Sequence, residues 1–241
     1  MLDGFIKCAA ATPDVRVADC EYNKNEIIRL IADADKLGVK LLVFPELCVT
    51  AYTCGDLFFQ PVLLNGAMKA LGEITAFTGG RDMIVAVGCP IRFEGKLYNC
   101  AVIINNGQVL GVVPKKHLPN YNEFYELRTF APAFEELREI ELFGKSVPFG
   151  LDLIFACRQV SELVFAAEIC EDLWAVSPPS NKLAMGGATI IANLSASNEC
   201  VGKDSYRREL VKSHSARLRC GYIYASAGEG ESTQDLIFGG H

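Results

Sequence analysis

The chain of 241 residues has only three histidines, one tryptophan, no Cys-x-x-Cys pair and no excess of basic residues. Each shortage excludes something. His117, His214 and His241 lie far apart, and none sits in a close Cys/His cluster, so no metal site is expected. Lysine and arginine number 23 against 29 acidic residues, for a net charge of −6, and no basic patch marks a nucleic-acid surface. No apolar stretch approaches the roughly 20 residues that cross a bilayer. The start, Met1-Leu2-Asp3-Gly4, lacks a basic n-region, so a cleaved leader is not expected. Internal repeats, low-complexity tracts and linkers are also missing.

Half of the residues are hydrophobic and 22% are charged, a composition that fills one large core. The ten cysteines fall mostly in apolar runs, as Cys8 does in Phe5-Ile6-Lys7-Cys8-Ala9-Ala10-Ala11. They read as small core residues of a reduced, cytoplasmic protein.

Strand and helix signals alternate. Buried strands are predicted at 5–11, 39–44, 83–89, 162–167, 188–194 and 221–226. Helices are predicted at 23–37, 63–77 and 205–219. Segments 99–104 and 108–113 flank Asn105-Asn106-Gly107, a hairpin signal. Hairpins mixed with βα units predict a mixed sheet covered on both faces. Residues 114–150 form the least regular stretch, and long irregular segments in compact domains tend to be functional. A strand begins at 235–238 and Gly239-Gly240 suits a turn, but no returning partner precedes His241; this predicts continuation in a longer protein.

Ligands of α/β sheets bind at the carboxyl ends of strands. Glu46 follows the 39–44 run, Lys115 follows 108–113, Cys170 follows 162–167 and Ser197 follows 188–194. If those strands are neighbours, the four side chains converge. Together they make a workable amidase. Glu46 takes the proton of Cys170 and returns it to the leaving amine, because the thiolate is the nucleophile. Lys115 and the backbone N–H of Glu171 stabilise the tetrahedral oxygen. Taken singly, each has a plainer reading. Cys170 is one of ten cysteines, Glu46 could cap a turn, Lys115 beside Lys116 could lie on a solvated face, and Ser197 could be turn chemistry.

The local sequences go further. Phe44-Pro45-Glu46-Leu47, Val113-Pro114-Lys115-Lys116-His117-Leu118-Pro119 and Glu168-Ile169-Cys170-Glu171-Asp172-Leu173-Trp174 resemble the three catalytic blocks of the nitrilase superfamily, in order. Tyr121-Asn122-Glu123-Phe124-Tyr125-Glu126, Asn193-Leu194-Ser195-Ala196-Ser197, Gly202-Lys203 with Tyr206-Arg207, and the stretch 226–235 resemble one branch. That branch is the glutaminase domain of glutamine-dependent NAD+ synthetases, and the similarity covers essentially the whole chain.

The resemblance implies an α/β fold, a four-layer αββα sandwich whose sheets pack across a domain pair or pseudo-repeat. It implies one glutaminase domain over 1–241 that lacks its last strands, with the synthetase domain absent. By the same matching, Glu46 is the general base, Lys115 the charge stabiliser and Cys170 the nucleophile. Glu123 matches the second glutamate, which orients the lysine and the amide. Tyr121, Ser197 and Lys203 match glutamine-holding positions, and Tyr52 and Glu171 belong to the pocket wall. The implied reaction hydrolyses L-glutamine through a Cys170 thioester without a cofactor. Its ammonia supplies a synthetase domain that uses ATP and Mg2+ to convert deamido-NAD+ to NAD+. No Ser-Gly-Gly-x-Asp-Ser phosphate loop occurs here, so ATP is expected only at that other domain. The family's homo-oligomers make an oligomer an expectation here too. A stand-alone amidase or carbamoylase and a non-catalytic assembly module are the alternatives.

Overall fold

The computed structural model describes residues 5–231 and 235–240. In chain order the elements are β1 (Cys8–Ala10), α1 (Cys20–Lys36), β2 (Leu41–Val43), α2 (Pro61–Phe77), β3 (Ile84–Phe93), β4 (Lys96–Asn105) and β5 (Gln108–Pro114). There follow α3 (Glu126–Thr129), β6 (Arg138–Leu142), β7 (Lys145–Phe149), β8 (Phe155–Ala156) and β9 (Val164–Ile169). The chain continues with α4 (Pro179–Met185), β10 (Ile190–Ser195), α5 (Lys203–Leu218) and β11 (Gly221–Ser226). A 3-10 turn, Cys170–Trp174, leads directly out of β9.

Local chemistry explains the helices. Asp19 caps α1 by accepting the Tyr22 N–H at 3.0 Å. Ile27, Ile31 and Ala34 then fall on one buried face. Pro61 opens α2, where its missing N–H is not needed. Hairpins β3–β4 and β4–β5 close on Glu94-Gly95 and Asn106-Gly107, all four residues at positive φ, as two-residue hairpin turns require.

These elements build two mixed sheets. The first has the order β1-β2-β3-β4-β5-β7-β6 and the second β11-β10-β9-β8. Strands β1, β2 and β3 run parallel, as do β9, β10 and β11. The sheets pack face to face. Leu41, Val43, Ala86, Ala101, Ile103 and Val113 of the first meet Phe165, Ala167, Ile169, Ala192, Leu194 and Ala225 of the second. Helices α1 and α2 cover the other face of the first sheet through Ile27, Ile31, Leu71 and Ile74. Leu183 of α4 covers Ala166 and Ile191 on the outer face of the second. The result is an α/β sandwich of two mixed sheets flanked by helices. Both sheets come from this one chain, so neither a domain pair nor a repeat is needed to cover the second sheet face.

Two local expectations change. The irregular stretch 114–150 contains the hairpin β6–β7, and β7 extends the first sheet beside β5. Segment 235–238 is not a strand; its sheet pairing is one antiparallel bridge, Asn198 to Phe238. Residues 1–4 and the Ser232-Thr233-Gln234 part of the 226–235 block lie outside the described residues.

Glu231 ties the loop after β11 to the site, accepting the Tyr52 N–H. Burial, reinforced by the charge of Glu46, pushes its carboxyl up to about 8, against the hydrogen bond from Tyr52. Between its unfolded pKa, about 4.3, and about 8 the folded state holds a proton that the unfolded state has lost. Stability therefore falls as pH rises through this window. Glutamine mimics the protonated acid. Glu231→Gln is expected to shrink the drop in melting temperature between pH 6 and pH 9 by roughly 5 °C, as checked by scanning calorimetry. An unchanged pH slope would refute this assignment.

Candidate active site

The site forms where strands of both sheets end. Glu46 lies three residues beyond β2, Lys115 immediately follows β5, and Cys170 immediately follows β9. Gly88 of β3 lets the Glu46 segment lie against the sheet. A Cβ there would stand 2.3 Å from the Leu47 nitrogen and 2.4 Å from the Pro45 oxygen.

Lys115 has no exposed side-chain surface. Its Nζ donates to Glu46 Oε1 at 2.6 Å and to Glu126 Oε1 at 2.6 Å. Burial alone would lower its pKa, but the charges of Glu126, Glu46 and Cys170 hold it well above the ordinary lysine value. An ammonium carries three donors, so one remains for the reacting centre. Glu46 is fixed from three sides. Besides Lys115, it accepts from Asn99 Nδ2 of β4, and its Oε2 accepts the Ala196 N–H at 2.9 Å just past β10.

Cys170 is buried, with a φ of 45°. A left-handed residue with a side chain is uncommon and must be held by its surroundings. Burial pushes the thiol up from its usual range. Glu46 adds to the rise, while Lys115 and a hydrogen bond with Ser195 oppose it. Its surroundings thus favour the thiol over the thiolate, and to act as a nucleophile it would need a base to take the proton. The Glu171 N–H lies in the first turn of the 3-10 helix, where helix N–H groups have no partner within the helix.

The structure places the other sequence-predicted residues around this centre. Glu123 does not reach the lysine: the carboxylate on Lys115 is Glu126, three residues later at the start of α3. Glu123 instead accepts from Asn198 Nδ2. The correction has a physical reason. The chain turns into α3 and buries Glu126 against Lys115, while Glu123 stays half-buried. Burial pushes Glu126 up to about 7, with Lys115 pulling it down and Glu46 pushing it up. Tyr52 donates to Glu126 Oε1 at 2.8 Å and packs on Phe124 and Phe238. Tyr121 donates to Glu171 Oε1 at 2.9 Å. Lys203 donates to Asn198 Oδ1 and sits 5.5 Å from the Trp174 ring centroid. Ser197 is buried and accepts from Arg207 at 3.3 Å. Glu123, Asn198 and Lys203 form one bridged set of opposite charges, and Glu171 feels Lys115, Glu46 and Lys203.

A cavity of about 460 Å³ adjoins the site, lined in part by Tyr52, Glu123, Phe124 and Glu126. Cys170 does not line it. Among the described residues no group of three or more His, Cys, Asp or Glu could hold a metal ion, and no helix is long and apolar enough to cross a membrane.

Sequence reasoning missed several supports. Glu126 stood in a quoted motif, but two glutamates three apart in an aperiodic segment carry no signal for which one turns inward. Asp172 was also in a quoted block. It accepts the Ile169 N–H at 3.1 Å and the His117 N–H at 2.8 Å, joining the Cys170 turn to the segment after Lys115. Burial, with the charge of Glu168, pushes its carboxyl up to about 8. Asn99 lies inside a predicted strand, where an isolated asparagine facing a site looks like any other strand residue.

A buried cysteine and a lysine held by two glutamates thus stand together at the joint ends of two packed sheets. The chain belongs to the carbon-nitrogen hydrolase family, whose pattern matches residues 7–241. It is 41% identical over 237 residues to a glutamine-dependent NAD(+) synthetase of Mycobacterium tuberculosis, covering 98% of this chain and 35% of that protein. A protein of the same name from Aquifex aeolicus is 34% identical over 224 residues, covering 93% of this chain and 35% of its own length. The chain therefore spans about a third of these relatives. The crystal structure of a glutamine-dependent NAD(+) synthetase from Cytophaga hutchinsonii superposes with a TM-score of 0.85 at 31% identity, covering 97% of this chain and 37% of that one. An amidase from Nesterenkonia sp. shares the fold, with a TM-score of 0.73 at 18% identity over 97% of this chain and 79% of the amidase.

Proposed function

We propose that this chain hydrolyses L-glutamine to glutamate and ammonia through a thioester on Cys170. It acts as the glutaminase portion of a longer protein that uses the ammonia to make NAD+ from deamido-NAD+ with ATP. The observation that carries the chemistry is the fully buried Lys115 bridging Glu46 and Glu126 beside the Cys170 thiol. The relatives' names supply the substrate and the receiving reaction.

Glu46 takes the thiol proton as sulfur attacks the side-chain carboxamide. The Lys115 ammonium and the Glu171 N–H stabilise the oxyanion, each donor of this kind being worth about 2.7–4 kcal/mol. The proton passes from Glu46 to the leaving nitrogen, and ammonia departs. Water deprotonated by Glu46 then cleaves the thioester and releases glutamate. Glu126 orients the lysine and offsets its charge. No step calls for a metal.

Glutamine's α-ammonium and α-carboxylate need charged partners in a closed pocket. The paired opposite charges of Glu123 and Lys203 on Asn198, with Tyr121 and Glu171 beside them, suit that zwitterion. Such a site rejects amides that leave its polar groups unpaired. Ammonia release from glutamine is expected to exceed that from butyramide by at least about 10³-fold in kcat/KM, and a glutamine-mimicking electrophile is expected to label Cys170. Equal turnover of the two amides would favour a general amidase. A folded chain that resists the electrophile would favour an assembly role.

A further inference from the structure

Residues on the outer face of the second sheet lie under α4 and α5, where hydrocarbon packs, as Ala166, Ile191 and Leu183 do. A polar line interrupts that face. Asn193 and Glu168 are register partners on β10 and β9, both essentially without exposed surface. Buried polar groups destabilise a fold unless each is paired, and here each is. Asn193 Oδ1 accepts the Cys170 N–H at 3.1 Å, and its Nδ2 donates to the Cys170 carbonyl at 3.4 Å. The same Nδ2 donates to the Tyr222 hydroxyl at 3.2 Å. Tyr222 in turn donates to Glu168 Oε1, and Glu168 Oε2 accepts the Ser180 N–H at 2.9 Å.

One carboxamide thus grips both backbone groups of the single residue whose left-handed conformation sets the direction of its thiol. Its rotamer is set by a tyrosine locked to a buried carboxylate. We propose that Asn193 is a positioning residue for the nucleophile: it holds Cys170 in the strained conformation that sets its thiol beside Glu46 and Lys115, with Tyr222 and Glu168 holding Asn193. Asn193 touches neither the reacting atoms nor the proposed substrate. The proposal rests on the reading of Cys170 as nucleophile.

An apolar side chain of the same size breaks both grips. Asn193→Leu is expected to lower kcat for glutamine by about 10²-fold while changing KM less than threefold. It is also expected to slow alkylation of Cys170 by iodoacetamide at least tenfold, read by mass spectrometry of the peptide carrying that cysteine. Asn193→Asp keeps an acceptor for the Cys170 N–H but loses the amide donor, and an intermediate loss is expected. Tyr222→Phe leaves the carboxamide but frees its rotamer, and a roughly fivefold loss in kcat and in alkylation rate is expected. Should Asn193→Leu fail to fold, the other two variants decide by the same readouts. Unchanged kcat and alkylation in folded variants would overturn the proposal. So would losses that follow melting temperature alone and vanish on cooling. Alkylation needs no substrate. Wild-type chain that alkylates normally yet leaves glutamine intact therefore counts against the glutaminase reading, and a variant that alkylates like wild type counts against the clamp.

Discussion

Cys170→Ala is expected to reduce glutamine hydrolysis by at least about 10⁴-fold while leaving a folded protein that still binds glutamine. The two halves of this result test different things. Removing the sulfur deletes the group proposed to form the thioester, and Glu46 cannot replace it, being pinned by Lys115, Asn99 and the Ala196 N–H. Binding should survive, because Cys170→Ala leaves Glu123, Asn198 and Lys203, proposed to hold the zwitterion, in place. A ligand at 100 times its dissociation constant stabilises by about 2.7 kcal/mol. The melting temperature of the variant should then rise several degrees with saturating glutamine. An ammonia assay and a thermal shift titration check both. Residual turnover above about 1% would remove Cys170 from the nucleophile's role.

The second large effect lies at Lys115. Lys115→Met keeps the length of the side chain and removes its charge, leaving Glu46 and Glu126 buried without their shared cation. Removing one partner of a buried pair typically destabilises by about 3–5 kcal/mol, here roughly 10 °C in melting temperature. Hydrolysis should fall by about 10²–10³-fold through loss of an oxyanion donor. The double variant Lys115→Met/Glu126→Gln removes one stranded carboxylate. It is expected to recover much of the stability and none of the activity. Glu123→Gln, which alters the partner of Asn198 and not of the lysine, should recover none of the stability lost by the change at 115. Recovery of stability by Glu123→Gln and not by Glu126→Gln would reverse the assignment of the second glutamate.

Glu126 shows where sequence reading stops. Its motif was visible, and a second glutamate in the segment after Lys115 was expected, but the expectation settled on Glu123. Residues 121–126 follow neither a 2 nor a 3.6 period, so nothing local says which carboxylate faces inward. The start of α3 decides it. The polar line behind Cys170 was equally hidden. Asn193 and Tyr222 lie within predicted strands and Glu168 just past one, and their meeting depends on the register of β9, β10 and β11. Buried strands, in contrast, were legible because their apolar runs are continuous. The hairpin β4–β5 was legible because its turn demands residues that tolerate positive φ.

The amino-acid sequence by itself determined the alternation of buried strands and amphipathic helices. It also placed Glu46, Lys115 and Cys170 just past strand ends, because backbone period and turn chemistry are local. Only the tertiary structure decided that two sheets of one chain pack face to face and which glutamate meets the lysine. It also decided which amide grips the backbone of Cys170. Those are contacts between segments tens of residues apart, and their geometry follows from strand register and sheet packing, which no short stretch encodes.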